Sequence, residues 1–146
     1  MNPESMNSEI WGPHYWFVLH TITMNYPLHP NSVTKKKYYE FIQNLPLFLP
    51  DSKIGDYLLE LLDKFPVSPY LDSRESFIKW MHFLHNQINE RLDKPHVNFD
   101  DFLEKYQQNY RPQKEIEEEQ FKHTEKLIFL CIIIFLTVFI IYFYKK

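Results

Sequence analysis

The chain has 146 residues, 45% of them hydrophobic and 18% aromatic, with two glycines, a formal net charge of −3 and one cysteine, Cys131. That length predicts one domain rather than two, and few glycines with many aromatics favour a helical core over a sandwich of short strands. The small charge makes no electrostatic case for nucleic acid, and a lone thiol excludes an intramolecular disulfide, a cysteine-based zinc site and a dithiol redox couple within the chain.

Residues 1–9 are polar and lack the basic start and apolar run of a secretory signal, so they read as a flexible arm. Ile10 to Tyr26 reads as the first helix, with Gly12-Pro13 as its start and Pro27 and Pro30 beyond its end. Trp16 and His20 stand at i and i+4 on one face of it, as core residues or as a ligand wall. Asn31-Ser32 offers an N-cap for a second helix over Lys35 to Leu49, which Pro46 should shorten or kink. Lys35, Lys36 and Lys37 read as a solvated face. A third helix begins at Pro50-Asp51-Ser52, capped by Asp51 or Ser52, with Ile54, Leu58, Leu61 and Leu62 inward and Phe65-Pro66 closing it.

Asp72 or Ser73 caps a fourth helix that runs to about Leu92 and is stopped by Lys94-Pro95. Its stretch Trp80 to Pro95 holds His82, His85, Asn86 and Asn89 three or four residues apart, beside an apolar stripe of Phe77, Met81, Leu84, Ile88 and Leu92. Imidazoles and carboxamides next to a core stripe can hold a planar polar ligand as well as pack. Metal binding finds no support there: asparagine is a poor zinc ligand and no third ligand suggests itself. Asn98, Asp100 and Asp101 can cap a short fifth helix to Tyr106, with Phe99, Phe102 and Leu103 facing the core. Residues 107–126 are polar and acidic, a linker or solvated helix. Leu127 to Tyr144 is 18 residues without a charge, which at ~1.5 Å per residue spans roughly 27 Å, a bilayer core. This is read as a single-pass anchor in a lipid bilayer, with the globular part on the cytosolic side.

Four pieces now line up: Trp11-Gly12 with Trp16 and His20; Asn25-Tyr26-Pro27; Trp80 with His85-Asn86 and Asn89; and Leu92 with Lys94-Pro95. Over 10–106 this series resembles the Erv/ALR family of FAD-linked sulfhydryl oxidases. The resemblance implies an all-α fold, a four-helix bundle plus a short fifth helix, that grips FAD and pairs as a homodimer. It implies cofactor-lining roles for Trp16, His20, Tyr26, His85, Asn86, Asn89 and Lys94, and for Tyr57 three positions beyond the family's second cysteine. It also implies a reaction, dithiol to disulfide with FAD and oxygen, and a thiol-containing protein as partner. Small members occur in large DNA viruses, which points to a viral or virion membrane.

One departure limits the resemblance. The family's Cys-x-x-Cys, preceded by proline, falls on Pro50-Asp51-Ser52-Lys53-Ile54. Asp51 and Ile54 stand where the two cysteines would be, and neither side chain has a two-electron couple or a thiolate nucleophile. The expectation is a retained FAD site without thiol oxidase activity by that route. The alternative is a non-enzymatic, membrane-tethered interaction scaffold, a dimerisation partner.

Overall fold

A computed structural model describes residues 6–145. Six α-helices account for most of them and no strand occurs among the described residues. They are α1 (Ser8–Met24), α2 (Ser32–Asn44), α3 (Ser52–Lys64), α4 (Arg74–Arg91), α5 (Phe99–Gln108) and α6 (Gln113–Tyr144). Two 3-10 turns, Leu45–Phe48 and Ser68–Tyr70, join α2 to α3 and α3 to α4. The chain divides into two compact units, Met1–Phe102 and Leu103–Lys146.

Local chemistry explains the helix ends. The expected arm over 1–9 has its first five residues outside the described part, but Asn7 is already an N-cap, its side chain accepting the amide of Glu9, and α1 starts at Ser8 rather than at Gly12-Pro13. Asn31 caps α2 by accepting the amide of Thr34 at 2.8 Å. Proline at position 46 does end that helix early: α2 stops at Asn44 and the chain tightens into the 3-10 turn, with Pro46 in its first positions. Ser73 caps α4 through the amide of Ser76 at 3.1 Å. α4 ends with Asp93 in the left-handed region, φ 54°, the site where glycine is the usual C-terminal residue.

In the first unit the core joins α1 to α4 through Leu19, Ile42, Leu58, Leu61, Leu62, Phe77, Trp80, Met81, Leu84 and Ile88. α1 packs along α4 more extensively than any other pair of helices. Two buried polar tips tie loops to this core: the Trp80 indole donates to the Phe65 carbonyl at 3.1 Å, and the Tyr26 hydroxyl donates to the Leu71 carbonyl at 2.8 Å. α3 sits so close to the first 3-10 turn that a Cβ added at Gly55 would lie 2.9 Å from the Pro46 carbonyl oxygen. Both partners are backbone, so neither yields cheaply. Gly55→Ala is expected to lower the unfolding free energy by about 1–3 kcal/mol despite alanine's better helix propensity, read as a lower urea midpoint.

The second unit is dominated by α6, whose 32 residues join the polar stretch to the apolar one without a break. By length and composition α6 can cross a membrane, and none of its apolar window is buried inside the protein. A core helix of a soluble protein would be covered; this one exposes Leu127, Phe129, Ile133, Phe135 and Ile140 on all sides.

Candidate functional site

The polar side of α4 meets the ligand wall of α1 at one place. Helical spacing stacks Trp16 above His20 on α1, and the α1–α4 contact brings His85 against both. Trp16 and His85 lie ring on ring, centroids 3.9 Å apart and planes within 13°. They leave no gap between them, so a planar ligand has to use an outer face of the pair or part it. His20 Nε2 and His85 Nδ1 share a hydrogen bond of 3.0 Å. α5 closes the inner side: Phe102 packs on His20 at 4.3 Å and on His82 at 5.2 Å.

Burial sets the charge state. Removal from water pushes His20 down to about 3, with the neighbouring His85 and His82 adding to the shift. His85 is pushed down to about 4, again by burial first, then by His82 and by the Lys94 ammonium. His82 is lowered by burial too, partly offset by its bond to the Val97 carbonyl. At neutral pH the three rings are uncharged, and the His20–His85 bond couples their tautomers. Whichever ring donates, the far nitrogen of His20 takes the complementary role. That nitrogen, Nδ1, is buried and has no hydrogen-bond partner, in a residue only 3% exposed. An unmet buried polar atom costs about 1–3 kcal/mol.

The other residues implied by the resemblance are distributed unevenly. Asn89 is 7% exposed. Its backbone carbonyl accepts the amides of Leu92 and Lys94, at 3.0 and 2.8 Å. Lys94 lies near enough for its charge to act on His85. The Asn86 carboxamide, by contrast, is spent on the backbone of Val97, donating at 3.0 Å and accepting at 2.9 Å. Tyr26 offers a ligand no surface: it is 0% exposed, its ring set edge-on to Tyr38 and Phe77 and its hydroxyl committed to Leu71. Tyr57 is half-buried with its ring under the Arg91 guanidinium, 5.4 Å from the centroid. Three contributors lie outside the set that the resemblance implies: His82, Phe102 and the Val97 backbone. His82 and Phe102 have the right helical spacing to be found; a backbone acceptor leaves no mark on the residue type.

Asp51 and Ile54 occupy the start of α3. Asp51 is its N-cap, its carboxylate accepting the amides of Lys53 and Ile54 at 2.9 and 3.4 Å. Ile54 is 7% exposed and belongs to the core against which Trp16 and Tyr57 pack. The helix start is therefore built from a good cap and a good apolar residue.

A model of the Erv1/Alr family matches residues 13–111. A probable FAD-linked sulfhydryl oxidase of Acanthamoeba polyphaga mimivirus is 29% identical over 110 residues, 75% of this chain and 77% of that protein. An FAD-linked sulfhydryl oxidase of African swine fever virus is 28% identical over 99 residues, 68% of this chain and 82% of the other. Among solved structures, the yeast Erv1 core superposes with a TM-score of 0.63 at 23% identity, covering 69% of this chain and 84% of that one. The fold is thus the all-α bundle with a fifth helix, here followed by a long apolar helix.

Proposed function

Since the chain belongs to the Erv1/Alr family, we propose that it is a membrane-anchored FAD-binding domain that keeps the cofactor site of the thiol oxidases and lacks their cysteine-pair route. The observation that carries this reading is the uncharged pair of buried His20 and half-buried His85, with the unpartnered Nδ1 of His20 beside the Trp16 ring. A heterocycle edge is the kind of group that would satisfy that nitrogen. The donor set fits FAD: an aromatic face at Trp16 and His85, the carboxamide of Asn89 for ring edges, and the Lys94 ammonium for phosphate charge. When bound, the flavin supplies a two-electron acceptor for thiols.

The protein's own groups then decide what reaches it. Burial keeps His20 and His85 neutral, so they bind by hydrogen bonding and stacking without adding charge. Asp51 holds the first turn of α3 and Ile54 fills the core, where a thiol pair would have to stand. Cys131, the one cysteine, lies in the apolar stretch of α6. That stretch supports anchoring in a bilayer, and the viral relatives favour a viral or virion membrane.

The full chain purified in detergent micelles with FAD supplied is expected to carry a flavin absorbance band and to oxidise dithiothreitol no faster than free flavin does. Turnover well above that background overturns the loss of activity. A colourless protein that still folds and self-associates favours the second reading, a membrane-tethered scaffold that pairs with itself or with a relative. One feature favours that reading: Ile10, Phe17 and Val18, at i, i+7 and i+8 of α1, are 70%, 42% and 55% exposed, an apolar face on the outside of the bundle.

A further inference from the structure

We propose that Asn86 is a positioning residue: it clamps the strap of residues 93–98 onto α4, and through that strap it holds Lys94 beside the histidine pair. The role deepens the flavin reading and rests on it for its consequence, though not for its geometry.

The strap is awkward chain. It leaves α4 through Asp93, whose positive φ is costly for a residue with a Cβ, and it contains Pro95, which has no amide to donate. No helix or strand supports residues 93–98. Hydrogen bonds to α4 fasten it at both ends, that of the Asp93 amide to the Glu90 carbonyl at 3.2 Å among them. At the near end the Lys94 amide donates to the Asn89 carbonyl at 2.8 Å. At the far end Val97 is held on both its polar groups by one side chain: its amide donates to Asn86 Oδ1 at 2.9 Å, and its carbonyl accepts from Asn86 Nδ2 at 3.0 Å. The His82 ring adds a donor to the same carbonyl at 3.0 Å, which fixes the proton on its Nε2. His82 is itself wedged against Phe99 and Phe102, so the anchor is rigid on its far side.

A carboxamide that meets one residue's amide and carbonyl together copies the edge of a peptide group. Its oxygen and one N–H are used, which leaves Asn86 poorly placed to read a ligand as well. Lys94, itself fastened through its amide at the near end, is the one cation among the causes that shift His85. Free the far end and Lys94 gains freedom; the site then has to order the strap again whenever a ligand binds, and affinity falls.

The test is a double-mutant cycle on the full chain in detergent micelles, titrated with FAD well below the melting temperature, where stability does not enter the affinity. Asn86→Ala and Lys94→Ala are each expected to weaken binding about tenfold, and the double variant to be no weaker than the worse single by more than about twofold. Exchange of the Val97 amide should quicken at least ~10-fold in Asn86→Ala, and Asn86→Asp, which keeps the acceptor for that amide, should fall between it and wild type. Additive losses in the cycle, or a Val97 amide unmoved by Asn86→Ala, overturn the positioning role. A wild-type chain that takes up no FAD overturns the flavin reading and the role in binding with it; wild-type binding with additive losses overturns the role alone.

Discussion

Acidification from pH 6.5 to pH 4.5 is expected to remove on the order of 5 kcal/mol from the stability of the helical bundle, enough to unfold a domain of ordinary stability. The cause is the buried histidine cluster. Burial, assisted by the facing charges of His82 and His85, takes His20 to about 3 in the folded chain, and burial with His82 and Lys94 takes His85 to about 4, both from 6.5. The unfolded chain therefore binds these protons first. Above pH 6.5 both states hold neutral rings and stability is at its full value. As pH falls toward 4, the unfolded state gains two protons that the folded state refuses, and each costs about 1.4 kcal/mol per pH unit. His82 is shifted the same way and adds a smaller share. The measurement is urea denaturation of the full chain in micelles at half-unit steps of pH. The slope at pH 5 should correspond to an uptake of about two protons on unfolding. His20→Gln, which keeps a donor for His85 but does not titrate, should reduce that uptake by about one. A denaturation midpoint that stays flat between pH 6.5 and 4.5 would show that the rings are not buried as a neutral pair.

The parts of this fold that sequence reasoning could reach are those written in side-chain periodicity. Trp16 and His20 share a face at i and i+4, as do His85 and Asn89, and the helix pair that carries them makes the cluster. The apolar run of α6 needs no tertiary information at all. What escaped is what depends on backbone partners. Asn86 and Asn89 look equivalent in a helical projection, yet one turns its carboxamide to the Val97 backbone and the other stays on the buried side. Tyr26 follows the end of α1 as a loop residue would, but its phenol caps the Leu71 carbonyl deep in the core. The start of α1 escaped for a related reason: Gly12-Pro13 is the louder signal, while Asn7 supplies the actual cap five residues before Gly12. The polar segment 107–126, most of which forms the first part of α6, reads equally as linker or helix, because exposed charged residues satisfy either. The i,i+4 pair Lys114–Glu118 at 3.9 Å is what the helix adds, and Arg111, just ahead of it, reaches Glu119 at 2.6 Å.

Replacing both residues at the start of α3, Asp51→Cys with Ile54→Cys, is expected to confer thiol oxidase activity through a cysteine pair. The geometry of the helix start is suited to the pair. The two positions are the N-cap and the third helical residue, whose side chains are neighbours within the first turn. A small adjustment of that turn brings two sulfurs within disulfide reach. Unpaired amides and the helix dipole at this end favour a thiolate, so one of the two thiols would be reactive near neutral pH. Ile54 belongs to the core that Trp16 and Tyr57 pack against, so its replacement is the inner sulfur and that of Asp51 the outer, half-exposed one. The double variant should close dithiothreitol to its cyclic disulfide while dioxygen is reduced to hydrogen peroxide, one molecule of each per turn. Wild type and both single variants should stay at the free-flavin background, since one thiol cannot form the pair. The cost is bearable: about 1 kcal/mol for the lost cap and ~1–2 kcal/mol for the smaller core side chain. A folded double variant that binds FAD and forms the Cys–Cys bond, yet consumes no oxygen, would show that more than the two cysteines has been lost from this site.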